Sequence, residues 1–413
     1  MRVSTTRRRA RPASAIALAC AVLVACGSAT PPRDEATVSH LRLDGGPLPA
    51  ATQVPGTTTW APWPSAQHDA RHSGASTGDG PTAGAVRWSR DLGSGITPGP
   101  VVGPDGTIYA AANDGVLHAI DPATGSDRWT HDSGHRGGGD LSTSPLVLPD
   151  GTVLWGTPGD ELVALSPAGT PLWTQALPGV PTSPASTDGH RVYVGDRSGG
   201  VSAIDVGPGT HHLVWTVDVG GSSYGSVVVD GAGRIYTTSG SSLVAVDDRG
   251  TTGSVAWHAD PGDGITEVSA GLAADGTALL GTNGTREWAY ARDGSPRWNA
   301  PRVITYSSPV VTADGLAYVA DHSGRVRVLD VTTGAETAGY QLEPPQQIWT
   351  AVAVDRAHRL YFGTLNGHVL GVDSRGATLF DVDLGDSVYS YPALTADGAL
   401  VVGSRNGRLV AID

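Results

Sequence analysis

The chain has 413 residues, a formal net charge of −13, 57 Gly and 29 Pro, and only 16% charged residues. That composition excludes a helical bundle or coiled coil and suits many short strands joined by tight turns. An acidic balance of this size also argues against nucleic acid, or an anionic lipid surface, as the main partner.

The N-terminus reads as an export signal. Arg2, Arg7, Arg8, Arg9 and Arg11 form a positive region ahead of the apolar run Ala13–Ala25, which is too short for a stable membrane span. The run ends in Leu23-Val24-Ala25-Cys26, which resembles the bacterial lipobox and implies a lipid on Cys26. Residues 1–25 are therefore expected to be a lipoprotein signal peptide. Cys20 and Cys26 are the only cysteines, so a domain processed at Cys26 has no thiol left for a disulfide or a metal. All 27 basic residues are Arg; with five in the leader, 22 remain against 40 acids, a net −18. Membrane attachment then has to come from acyl chains, more than one being needed for a stable anchor. Residues 26–59, rich in Pro, Thr, Ala and Gly with no apolar period, read as a flexible tether.

From residue 60 to 413 the chain repeats itself. Trp88, Trp129, Trp173, Trp215, Trp257, Trp298, Tyr340 and Phe380 follow one another at spacings of 41, 44, 42, 42, 41, 42 and 40. The first interval runs Val101-Val102, turn Asp105-Gly106, Thr107–Ala110, turn Asn113–Gly115, Val116–Asp121 and Arg128-Trp129-Thr130. These are four short strands split by turn dipeptides that tolerate the positive φ of a two-residue hairpin. Asp-Gly recurs at residues 150, 188, 230, 275, 314 and 397, while the seventh repeat carries Asp355-Arg356-Ala357-His358 instead. Four strands per unit of 40–45 residues is the mark of a β-propeller.

The stretch from Ala119 through Asp121, Thr124 and Gly125 to Trp129 resembles the Ala-x-Asp-x-x-Thr-Gly-x-x-x-Trp blade motif of pyrroloquinoline-quinone (PQQ) type propellers. Partial copies lie at residues 203–215, 245–257 and 329–334, and Trp63-Pro64…Asp69 is similar to the lead-in of many such proteins. The resemblance implies that Trp88, Trp129, Trp173, Trp215, Trp257 and Trp298 dock each outer strand on the neighbouring blade. The last repeat stops at Asp413 one strand short, and Val86–Arg90 is an outer strand with no blade before it. An all-β, eight-bladed propeller of four-stranded antiparallel blades is expected, closed by that N-terminal outer strand and monomeric.

Catalysis is not expected. PQQ-dependent dehydrogenases of this family hold their cofactor against a disulfide of adjacent cysteines beside Ca²⁺, and the exported part of this chain has no cysteine beyond the lipidated Cys26. No cofactor, no metal site and no catalytic residue is therefore assigned. His68 and His72 would form an i, i+4 pair only if helical, and read better as part of a polar strap; His131, His135, His211 and His212 read as loop residues. One set of positions rises above background. Three residues before each inner-strand Pro or its equivalent stand Thr97, Ser142, Pro181, Tyr224, Val268, Tyr306, Trp349 and Tyr389. Propeller geometry puts these at one mouth of the channel, beside the loops carrying Asn113, Arg197, Asn283, His322, Asn366 and Arg405. Tyr224, Tyr306, Trp349 and Tyr389 are thus the candidate binding face for a protein or peptide; packing between converging blades is the competing explanation. A leader of this kind on eight PQQ-type blades is similar to the lipoprotein scaffolds of outer-membrane β-barrel assembly. That implies a non-catalytic, lipid-anchored envelope protein on the periplasmic face of the outer membrane or at the cell surface. A sensor or ligand-binding lipoprotein, and more distantly a quinoprotein dehydrogenase, are the alternatives.

Overall fold

The described residues form seven antiparallel sheets of four or more strands and one of three. The computed structural model describes residues 40–43 and 59–413, except 137–142, 263, 266–267, 283–285 and 302–305. The segment expected to be a signal peptide, Cys26, the rest of the expected tether, Ser142 and Asn283 lie outside the described residues.

The sheets are eight propeller blades in chain order. Blade one comprises Val101–Val102, Ile108–Ala111, Val116–Ile120 and Asp127–Asp132, counted from the inner strand outward. Its two middle strands are almost entirely buried, while the outer one alternates. A blade is covered on both faces by its neighbours, so its central strands read as continuous apolar runs. The inner strands are cross-braced by serines: the amides of Ser144, Ser226 and Ser269 donate to the hydroxyls of Ser183, Ser269 and Ser308 of the following blade at 2.8–3.0 Å. In blade three the inner segment makes only the isolated bridges Pro181↔Asp196 and Ala185↔Tyr193, which leaves three named strands there.

Val86–Asp91 closes the ring. It pairs with Arg408–Ile412, Trp88 opposite Ala411 and Asp91 opposite Arg408, and completes the blade of Ala393–Leu394 and Leu400–Gly403. Ala85 and Asp413 exchange backbone hydrogen bonds at 3.0 and 2.7 Å, so the chain ends of the propeller are tied together.

The blade motif now has a physical cause. Trp88 Nε1 donates to Pro122 O, Trp129 to Pro167 O, Trp257 to Arg292 O and Trp298 to Val331 O, each 2.8–2.9 Å into the next blade. Each ring lies where a Cβ on the next blade's turn glycine would sit: Gly125, Gly169, Gly294 and Gly334 would meet them at 2.6–2.7 Å. Those glycines also have φ between +71° and +88°. Trp173 meets a longer hairpin instead and stacks on His211 at 4.3 Å. His211 and His212 belong to the outer strand Thr210–Asp218, and His131 to Asp127–Asp132, so these three are strand residues, not loop residues.

Two local readings change, and the blade-seven departure gains its detail. Blade six puts Ala338, not Tyr340, in register with the docking tryptophans: Ala338 pairs with Val328 as Trp298 pairs with Ala289. In blade four the left-handed turn residue is Gly233 (φ 80°), which donates to Asp230 O, and the Asp230 carboxylate caps the turn from within. Blade seven uses His358 (φ 56°) where other blades have glycine. That backbone conformation is uncommon outside Gly, and here the side chain is held on both sides. Tyr318 OH shares a hydrogen bond with His358 Nδ1 at 2.8 Å, and Nε2 lies 3.1 Å from Asp314 Oδ2.

One further strand lies inside the stretch read as tether. His40–Leu43 pairs antiparallel with the outer strand Glu336–Glu343, from His40 opposite Glu343 to Leu43 opposite Tyr340, as a fifth strand of blade six.

Candidate functional site

The two ends of the channel differ, because the segment from Trp60 to Gly78 crosses only one of them. Trp63 exchanges backbone hydrogen bonds with Val102 of blade one; Val147 of blade two donates to Pro64 O. Val229 and Leu272 of blades four and five donate to Ala70 O and Arg71 O, and Val354 of blade seven to Gly74 O. All five strands that bond the strap are inner strands, held near their turn to the second strand. The strap therefore spans that end with its backbone groups satisfied on several blades. A side chain at Gly74 would collide with Val310 at 2.7 Å, which explains the glycine where the strap passes blade six.

His68 and His72 sit on this strap and are not helical; Gln67, His68 and His72 all have positive φ. The Asp69 carboxylate organises the turn, accepting from the amides of Arg71 and Ser73 and from the Ser73 hydroxyl, while His68 Nδ1 lies 3.1 Å from that hydroxyl. His72 is fully buried, and desolvation lowers its pKa to about 4 against a weaker pull from Asp69. It is neutral at physiological pH. No group of three or more His, Cys, Asp or Glu able to hold a metal ion occurs among the described residues.

The opposite mouth is built from the starts of the inner strands and the turns between second and third strands. Asn113 Nδ2 donates to Thr97 Oγ1 at 2.9 Å, and Pro181 bridges Asp196, which places the two kinds of loop side by side. The structure brings three of the four candidate aromatics together. Tyr306, Trp349 and Tyr389, from blades six, seven and eight, form a continuous row: Tyr306 to Trp349 is 4.6 Å between centroids, Trp349 to Tyr389 5.6 Å edge-on. All three are half-buried. Aromatic contacts of this kind contribute about 0.5–1.5 kcal/mol each beyond area burial.

His322, from the blade-six turn, completes the cluster. It is stacked on Trp349 at 4.8 Å with an interplanar angle of 10°, and lies 5.2 Å from Tyr306. Tyr224 stands apart from this row. It is 44% exposed and faces the guanidinium of Arg197 at 5.1 Å. Arg405 lies 5.9 Å from the Tyr389 ring in the same relation. The sequence places these turns on this face without pairing them with the aromatics. The turn residues His322, Arg197 and Arg405 each follow the first residue of the same turn in their blades, and each meets an aromatic; that shared offset was the available signal. The mouth thus presents rigid aromatic surface beside two guanidinium groups and an imidazole, suited to holding an apolar or aromatic side chain.

Comparison with known proteins adds the family. The model described as "Outer membrane protein assembly factor BamB" matches residues 79–166, 158–301 and 213–413. The factor of that name from Nitrosomonas eutropha is 28% identical over 171 residues, 40% of this chain and 40% of that protein. A quinohemoprotein alcohol dehydrogenase from Comamonas testosteroni is 32% identical over 193 residues, 43% of this chain but 26% of that protein. The chain thus spans well under half the length of either relative. The crystal structure of BamB from Moraxella catarrhalis superposes with a TM-score of 0.60 at 14% identity, over 80% of this chain and all of that one. A likeness at that identity speaks for the fold alone.

Proposed function

The chain belongs to the family of the outer membrane protein assembly factor BamB, and from that membership we propose that it is a lipid-anchored, non-catalytic scaffold of the cell envelope whose open channel mouth captures a protein partner. The observation that carries the reading is the row Tyr306, Trp349 and Tyr389 with His322, at the channel end that the strap leaves uncrossed. Large half-buried aromatics at a concave, pre-packed surface are the residues that dominate binding energy in protein interfaces. The anchor is the lipid on Cys26, on the strength of the arginine-led apolar leader and the Leu-Val-Ala-Cys end.

The relative from Comamonas testosteroni raises an oxidoreductase as the competing reading. The residues present do not fit a quinone held against a cysteine pair beside a cation. No cysteine follows Cys26, and the described residues offer no cluster of carboxylates and imidazoles for the ion. Blade-turn aspartates such as Asp105, Asp121 and Asp275 are engaged by the amides of their own turns.

The test has two parts. Cys26→Ala is expected to move the protein from the membrane to the soluble fraction with its strand content intact; retention after a high-salt wash refutes the anchor. Replacing Tyr306, Trp349 and Tyr389 by Ala in the anchored protein is expected to abolish capture of envelope proteins in a cross-linked pull-down while circular dichroism stays unchanged. An unfolded variant would assign the row to packing, and undiminished capture would overturn the binding face.

A further inference from the structure

On the strap side of the propeller, away from the mouth, lies a cavity of about 280 Å³. Its walls come from the strap (Trp60, Ser65, Asp69, Arg71) and from the turns of blades three and four, including Ser186 and Thr187. Trp60 is half-buried and fixed, since its Nε1 donates to Val147 O at 2.7 Å. Pro64, Ala70 and Val229 extend the apolar wall.

The two charged groups in the lining are unequally used. Asp69 is engaged by three donors of its own turn, at 2.8–3.1 Å. Arg71 has its backbone carbonyl committed to Leu272, but its guanidinium makes no hydrogen bond among the described residues. Its nearest carboxylate oxygen, Asp69 Oδ2, is 3.9 Å away, beyond hydrogen-bond reach, and only 21% of its side chain is exposed. A mostly buried guanidinium with its planar donors uncommitted is matched by a carboxylate, which takes two parallel N–H bonds. In the same lining, a fixed indole and three apolar residues supply the kind of wall that small-ligand sites use, with few polar groups to orient the ligand.

We propose that this cavity is a binding site for a small carboxylate carrying a flat apolar group, the carboxylate on Arg71 and the apolar part against Trp60. The volume is ample for one ring with its carboxylate. The site stands on its own observations and is independent of the reading of the mouth.

Benzoate is the probe, with benzamide and benzamidinium as neutral and cationic counterparts of the same shape, titrated into the detergent-solubilised full chain by calorimetry. Benzoate is expected to saturate one site with at least tenfold higher affinity than either counterpart. Arg71→Gln should lose that preference. Thr187→Asp, an exposed rim change that leaves the fold untouched, should weaken benzoate and not benzamide. N-acetyl-glycyl-phenylalanine separates the two sources of the chemistry: binding assigns the site to peptide C-termini as well as free acids, and its failure beside bound benzoate assigns it to free acids. Equal binding of the three probes, tighter benzamidinium, no saturation at tens of millimolar, or an unaltered Arg71→Gln titration would each overturn the site.

Discussion

Tyr340 reaches the carbonyl of Ser374 at 3.3 Å, from a strand position two residues beyond the one that docking tryptophans occupy in other blades. Ser374 follows Asp373 in the blade-seven turn just as Pro122 follows Asp121 in blade one. A longer phenol from a more distant position thus satisfies the acceptor that an indole satisfies elsewhere. Burial, with a contribution from Asp373, raises the Tyr340 pKa, so the phenol stays protonated and can donate. Tyr340→Phe is therefore expected to lose about 1 kcal/mol, the worth of one hydrogen bond, and Tyr340→Ala about 3–5 kcal/mol. Urea unfolding of the two variants measures both, and a Tyr340→Phe variant as stable as the wild type would show that the hydrogen bond contributes nothing.

The docking contact should be visible as coupling between two residues. Gly334 has φ +71°, and a Cβ there would lie 2.6 Å from the Trp298 ring. Gly334→Ala is expected to cost roughly 3 kcal/mol, combining backbone strain with the clash. Gly315→Ala, at φ +83° with nothing within 4 Å of the added atom, should cost only the strain, about 1 kcal/mol. Adding Trp298→Ala to Gly334→Ala should cost clearly less than the two single losses together, and simple additivity in that double-mutant cycle would deny the contact.

Ring closure should be global. Removing residues 86–90 takes the outer strand from blade eight and exposes the edge of Arg408–Ile412. It also removes Trp88, whose indole bonds Pro122 O of blade one. Because each blade is supported by its neighbours, the loss is expected to abolish cooperative melting and solubility rather than to fray one end. A deletion variant with normal differential scanning calorimetry would refute this.

His72 should make the protein acid-sensitive. Its pKa is lowered to about 4 in the folded chain from an ordinary 6.5, so the unfolded chain binds the proton more readily. Stability from this group is complete above pH 6.5 and declines as the pH falls from 6.5 towards 4, by roughly 3 kcal/mol at most. His72→Asn keeps a residue that accepts the left-handed backbone. Its unfolding free energy, measured by urea at several pH values, should fall less steeply than the wild type between pH 6.5 and 4; parallel curves would contradict the buried neutral imidazole.

Much of the architecture is determined locally and can be read from residues alone. The blade count, the turn glycines and the closing strand follow from a repeat near 42 residues, because each blade is one supersecondary unit with the same burial problem. A missing fourth strand at Asp413 and an orphan strand at Val86 have only one partner each. Tertiary structure decided the rest, where contacts join residues far apart in the chain. Spacing alone put Tyr340 in the tryptophan register, since a two-residue slip on one strand keeps the same face. Three of four mouth aromatics meet because blades six, seven and eight are neighbours, while Tyr224 sits on another arc with Arg197. That the strap crosses one mouth and encloses Arg71 beside Trp60 depends on backbone bonds to five separate blades, a relation no local pattern encodes.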